Sequence, residues 1–222
     1  MRNIPLIILF LIINGCNGQE KNNNLKNDKM THFDISQYKN WEIDADYSSS
    51  DSHRFLKKRD ERVEIYFHSS GIQIRLKSVN HPYEKIYGYS NTTKSLIEQG
   101  TEFYKIPIGK NIQYDEKGDV IKEIDYEKPY KFSIKDLIEK IKKEYGVDLE
   151  DRREGASAGR RGKDGVFYYE VNLQSKTEPL KRDYILIDGN TGETLFKSYF
   201  YMKSDGGGKI PFDEYLESLK NK

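Results

Sequence analysis

Alternation of apolar and polar residues is cleanest between residues 63 and 76. Val63, Ile65 and Phe67 fall on one side of an extended chain, and Ile72, Ile74 and Leu76 do the same after the tetrad His68-Ser69-Ser70-Gly71. Side chains alternate faces along a strand, so a period of two with one apolar register in each run predicts a hairpin with one buried face. Upstream, Phe33, Ile35, Tyr38, Trp41 and Ile43 supply a first apolar cluster, and the Ser-rich, then charged, stretch 47–59 reads as loop. Downstream, short strands are expected at 85–89, 95–99, 102–106, 111–114 and 119–125, joined by brief turn-forming segments. Neighbouring short strands of this kind favour an antiparallel meander in which each strand pairs with the next.

The pattern changes period after Pro129. Ile134, Leu137, Ile138, Ile141 and Tyr145 recur at helical spacing. Ser133 with Asp136 three residues on is a capping-box-like pair, Phe132 and Leu137 fit a hydrophobic staple, and Gly146 stands where a helix takes its left-handed stop. Lys140, Lys142 and Lys143 lie toward the C-terminal end, where the helix dipole favours cations. A strand at 147–152, a Gly-, Ala-, Ser- and Arg-containing loop at 154–165, and strands at 166–173, 183–188 and 193–199 complete this half. The turn Asp188-Gly189-Asn190-Thr191-Gly192 joins the last two strands, and a flexible joint at 204–209 leads to a short helix at 211–219. The fold class that follows is α+β.

Two segments resemble known families. Gly109 to Glu123, with Tyr114 and Val120 facing each other across a turn closed by Gly118, resembles the MORN-variant repeat, a short β-hairpin unit; a looser copy starts at Tyr89. An ordinary hairpin in a larger sheet accounts for the same residues. Residues 130–198 resemble the PepSY domain family in the order of their parts. These are the capped helix, the strand Phe167-Tyr168-Tyr169-Glu170-Val171-Asn172-Leu173, and Tyr184-Ile185-Leu186-Ile187-Asp188 running through Thr191-Gly192-Glu193 into Thr194-Leu195. The strand spacing and this resemblance together give an antiparallel β-meander followed by a PepSY-like helix-plus-antiparallel-sheet unit. The resemblance also implies a non-catalytic module of an exported or membrane-attached protein, inhibitory toward peptidases in some members, and it carries over no catalytic residue.

The N-terminus bears on location. One basic residue, Arg2, precedes an apolar run from Ile4 to Ile13, followed by Gly15 and the only cysteine, Cys16. This is the order of an export signal. The run is about half of the roughly 20 residues that a spanning helix needs. Ile13-Asn14-Gly15-Cys16 resembles the lipobox of bacterial lipoproteins, which implies cleavage after Gly15 and lipidation of Cys16; a plain secretory signal is the rival reading. The organisation expected is therefore a signal at 1–15, a tether at 16–30, a β domain at 31–128, a PepSY-like domain at 129–200, and a linker with a short helix at 201–222. A protein of this kind sits in the bacterial cell envelope, lipid-anchored and facing the periplasm or the surface.

Charge narrows the partners. Residues 1–15 hold one charged side chain, Arg2, so the remainder carries 36 basic and 36 acidic residues. A balanced chain has no long-range field that draws it to nucleic acid or to an acidic membrane. A lone cysteine forms no disulfide within the chain, so packing must supply the stability.

Strings that look catalytic fare poorly on context. Gly155-Ala156-Ser157-Ala158-Gly159 matches the nucleophile elbow, but charged residues flank it where a strand and a helix are required, and no histidine follows it. His32, His53, His68 and His81 show no metal-ligand spacing. Asp188 to Glu193 begins like a calcium loop and then lacks its glycine and distal ligand, and the glycine run 204–209 lacks phosphate-loop spacing. No cofactor or metal is expected. The densest charge feature is Arg152, Arg153, Arg160, Arg161 and Lys163, a candidate docking patch for an acidic partner or anionic lipid beside the plainer reading of a solvated loop. The leading expectation is a protein-binding, non-enzymatic envelope protein. An immunity protein against a secreted bacterial toxin is the alternative, and a serine hydrolase using Ser157 is the distant one.

Overall fold

Strand pairing follows the alternation. In the computed structural model, which describes residues 31–202 and 210–220, Val63, Ile65 and Phe67 lie opposite Leu76, Ile74 and Ile72 in antiparallel register. Ile65 and Ile74 are fully buried. The ladder extends in chain order through β1 (Glu42–Ile43), β2 (His53–Lys58), β3 (Glu61–Phe67), β4 (Ile72–Ser78), β5 (Tyr83–Tyr89), β6 (Leu96–Phe103), β7 (Ile106–Tyr114) and β8 (Val120–Asp125). Every strand bonds to the one before it, giving an eight-stranded antiparallel meander. Phe33 packs on this sheet beside Phe67 and Tyr89, at centroid distances of 6.0 and 5.8 Å.

A second antiparallel sheet follows helix α1 (Ile134–Tyr145). Its strands are β9 (Ser157–Lys163), β10 (Val166–Gln174), β11 (Lys181–Asp188) and β12 (Thr194–Tyr201), in the order β12-β11-β10-β9. Ser133 and Asp136 exchange the two hydrogen bonds of a capping box, and Gly146 ends the helix at φ +70°. Helix α1 covers one face of the sheet, packing Ile134, Leu137 and Ile141 with Tyr169, Val171, Leu173, Ile185 and Ile187. Helix α2 (Pro211–Lys220) covers the other, with Phe212 and Tyr215 on Tyr168, Tyr184 and Leu186. Strand β11 is thus buried on both sides, which explains why Tyr184-Ile185-Leu186-Ile187 is apolar without alternating.

The two sheets are separate and share one core. Phe103 and Ile106, at the β6–β7 turn, join the cluster between α1 and the second sheet, with Tyr83, Tyr104 and Ile108 packed against it. The protein is mainly β, with antiparallel sheets and two α-helices among the described residues.

Several local expectations are corrected. Residues 53–58, read as loop, form β2. The expected break near Gly100 is absent: β6 runs through it, and the chain reverses at Tyr104-Lys105, both at positive φ (50° and 72°). That conformation usually selects Asn or Gly, so the turn carries no compositional mark. Residues 147–152 bury Val147 and Leu149 but form no strand. There the Asp148 and Asp151 carboxylates accept from the backbone N–H groups of Glu150 and Arg153, holding local turns in place of a ladder. Residues 157–163, within the expected loop, form β9, which pairs antiparallel with β10 at the edge of the sheet. The β7–β8 hairpin does set Tyr114 opposite Val120, with Gly118 at φ +90° in the turn. Cys16, the signal, the tether and the joint at 204–209 lie outside the described residues.

Candidate binding surface

The five basic residues of the expected docking patch do not share one surface. Alternation on β9 sends Arg160 and Arg161 to opposite faces of the second sheet. The Arg160 guanidinium is buried and lies 4.1 Å from the Tyr130 ring centroid and 5.3 Å from that of Tyr169. It donates to Glu127 Oε2 at 2.7 Å and to the carbonyls of Pro107 and Tyr126, both at 3.1 Å. Arg161 instead pairs with Glu170 at 2.9 Å and lies over Phe212 of α2. Arg152 donates to the His81 carbonyl at 2.9 Å, Arg153 chelates Asp151, and Lys163 stands 3.9 Å from Asp164 at the β9–β10 turn. Most of this charge is engaged in holding the chain together.

Ser157 lies within β9, opposite Asn172, whose Nδ2 donates to its Oγ at 3.3 Å. A nucleophile elbow needs the serine at a sharp strand-to-helix turn. The Asp188–Gly192 segment closes through its own side chain, with Asp188 Oδ1 accepting from the N–H groups of Asn190 and Thr191, both at 2.8 Å. Among the described residues no group of three or more His, Cys, Asp or Glu is placed to hold a metal ion, and no helix is long and apolar enough to cross a membrane.

A different surface is assembled by the meander. With Val63, Ile65 and Phe67 on the inner face, the outer face carries His53, Phe55 and Lys57 from β2, Arg62, Glu64 and Tyr66 from β3, and Gln73, Arg75 and Lys77 from β4. It continues with Glu84 from β5 and Glu102 from β6. Cross-strand neighbours on such a face lie close enough to interact in rows. One row is ionic: Arg75 donates to Glu84 and to Glu102, and Lys105 reaches the other oxygen of Glu84, each at 2.6 Å. The Glu84 side chain is only 2 % exposed. Burial raises its carboxyl, but the hydrogen bonds from Arg75 and Lys105 outweigh that and hold it below the ordinary value. Nearer β1, the buried carboxylate of Asp44 accepts from Arg62 Nε at 2.9 Å, with Lys57 at 3.8 Å.

Beside these ions runs an aromatic column. Tyr47 stacks on Phe55 at 4.8 Å, and His53 lies 4.3 Å from Phe55 and 4.8 Å from Tyr66, which in turn meets His68 at 3.7 Å. His53 Nε2 is 2.7 Å from Glu64 Oε1, which fixes the middle ring. Lys77 lies over Tyr47. Tyr47 and Tyr66, near the two ends, are 46 and 38 % exposed. The column lies outside the sequence-derived candidates because β2 reads as loop; the outward register of β3 and β4 was the signal that pointed toward it.

Comparison of the chain with family models, curated proteins and solved structures yields no match to any of them.

Proposed function

We propose that this chain is a lipid-anchored protein of the bacterial envelope, attached through Cys16, that acts as a non-catalytic protein-binding module. Its partner is an envelope or secreted protein, with a peptidase as the leading class, and its docking surface is the outer face of the meander. The observation that carries this reading is the aromatic column set beside the Arg75–Glu84–Glu102–Lys105 lattice. Aromatic and Arg side chains dominate interface energetics, and groups already held in place lose little freedom on binding. The second sheet supports a PepSY-like, non-catalytic reading of residues 129–200. There a capped helix precedes an antiparallel sheet whose Asp188–Gly192 turn closes on its own aspartate.

The test is a crosslinking pull-down of the lipidated protein from its own cells, beside a Tyr47→Ser/Tyr66→Ser variant checked for wild-type circular dichroism. Loss of one dominant partner in the variant is expected, and a peptidase among the captured chains identifies inhibition. A secreted toxin as the partner replaces inhibition by immunity. Undiminished capture of the same partner by the variant overturns the assignment of the surface.

A further inference from the structure

The two sheets have four edge strands, and three of them are blunted. An open edge offers unpaired N–H and C=O groups to any extended chain, and short strands, bulges, charges or a covering segment guard against this. Strand β1 is two residues long. Strand β8 has a register shift beside Tyr114 and carries Lys122, Glu123 and Asp125. Strand β9 carries Arg160, Arg161 and Lys163, and Arg160 ties it to the carbonyls of Pro107 and Tyr126. Strand β12 lacks these devices over Phe196-Lys197-Ser198-Tyr199-Phe200-Tyr201, which holds a single charge and no Pro or Gly. Its one irregularity lies before them, opposite Leu186 and Ile187. Among the described residues only β11 pairs with it.

Register shows which backbone groups this edge presents. Met202 N donates to the Leu180 carbonyl at 2.7 Å. In an antiparallel ladder alternate residues bond to the same neighbour. The backbone groups of Phe196, Ser198 and Phe200 therefore turn toward β11, and those of Lys197, Tyr199 and Tyr201 turn outward. The side chains of the two sets lie on opposite faces. Phe196 and Phe200 pack against the cluster of Phe212 and Tyr215 on the α2 side, whereas Lys197 lies 5.1 Å from the Tyr145 ring centroid on the α1 side. Tyr199 and Tyr201, on that same side, are 56 and 45 % exposed.

We propose that β12 pairs antiparallel with β12 of a second copy about a twofold axis at Tyr199, joining the second sheets of two chains into one continuous sheet. An isologous contact must be complementary to itself, and the charges here meet that condition in this register. Tyr199 faces Tyr199 of the second copy, and Lys197 faces its Tyr201. The Tyr201 hydroxyl donates to Glu178 at 2.7 Å, so each Lys197 meets an aromatic ring backed by a carboxylate. An axis at Lys197 sets that lysine against itself. An axis at Ser198, whose Oγ donates to Glu214 at 2.8 Å, draws the two Glu214 carboxylates together. The inference goes beyond the partner-binding role: it uses the second sheet, and the aromatic column lies on the first.

The experiment is disulfide trapping of the full chain in its own cells, with copper phenanthroline as oxidant and gels run without reductant. Residues facing each other as a hydrogen-bonded pair have Cα atoms about 5.5 Å apart, within the span of a disulfide. Two copies of residue 197 in this register are about 13 Å apart and beyond it. Tyr199→Cys is therefore expected to give a species of doubled mass, several-fold more abundant than with Lys197→Cys. Adding Lys197→Pro to Tyr199→Cys removes an outward N–H and leaves the β11 ladder intact, so the doubled species should vanish while circular dichroism is unchanged. Adding Lys197→Glu instead, which keeps that N–H and sets a carboxylate toward Glu178 of the second copy, should lower it several-fold. Equal trapping at 197 and 199, a disulfide from 199 to a different protein, or trapping untouched by both added substitutions overturns the proposal. The unsubstituted chain, whose one thiol is Cys16, sets the baseline; a doubled species there reports a free Cys16 and counts against lipid anchoring, while the excess at 199 still decides the pairing.

Discussion

The guanidinium of Arg160 packs against the rings of Tyr130 and Tyr169, which also touch each other, and from there it reaches the carbonyl of Pro107 in β7. One side chain of the second sheet thus ties down the end of the first. Removing one partner of a buried charge cluster costs about 3–5 kcal/mol when the other is left buried. Glu127 is a third exposed, so Arg160→Met is expected at the lower end, about 3 kcal/mol, in urea unfolding followed by circular dichroism. Arg160→Lys recovers little, because an ammonium cannot serve a carboxylate and two carbonyls at once while packing against two rings. Full stability in Arg160→Lys would show that the planar fork is not what the site uses.

Glu84 sets an acid limit on the meander. Its carboxyl is held below the ordinary value of 4.5 in the folded chain. A depressed folded value means that the unfolded chain takes up its proton first as pH falls, so the stabilisation is complete above the unfolded value and is lost below it. Midpoints of thermal unfolding are expected to fall as pH drops from above 4.5 through the lower folded value. Glu84→Gln should be less stable than wild type at neutral pH and should flatten that slope. An unchanged slope in the variant would assign acid sensitivity to other carboxylates.

Gly192 combines two constraints. Its φ is +74°, and a Cβ there would fall 2.3 Å from Phe132 Cε2. Gly192→Ala is expected to cost more than the roughly 1 kcal/mol that positive φ alone accounts for. Phe132→Ala placed on that background should return part of the loss. A double variant whose effects simply add would show that the ring yields without strain.

Helix α1 depends on its cap. Ser133 Oγ accepts from Asp136 N at 3.1 Å, and the Asp136 carboxylate accepts from Ser133 N at 2.9 Å. Ser133→Ala is expected to lower stability by about 1 kcal/mol. Ser133→Thr, which retains the acceptor, should lose less, and equal losses would point to a packing origin.

What could be read from the sequence was what neighbouring residues decide among themselves. The β3–β4 hairpin, the capping box, the Gly146 stop and the Asp188–Gly192 turn rest on contacts within a few positions. The Tyr104-Lys105 reversal was hidden because residues with side chains occupy a conformation that glycine usually marks; Tyr104 gains burial against the shared core in that position. Strand β9 was hidden by its small residues, and with it the fact that Arg160 and Arg161 face opposite ways. The aromatic column needed register: His53 and Tyr66 are 13 positions apart and meet only because β2 and β3 pair as they do.

Pairing every strand of the first sheet with its predecessor has a consequence for how the chain assembles. Contacts between sequence neighbours close small loops, which favours rapid folding. The meander can therefore zip up hairpin by hairpin as the chain emerges, before α1 has been made. Phe103 and Ile106 would then wait, still wet, for residues 134–187 to cover them. A chain that had made β8 but not α1 would own a complete ladder with its apolar end uncovered, the kind of transiently exposed surface that favours aggregation.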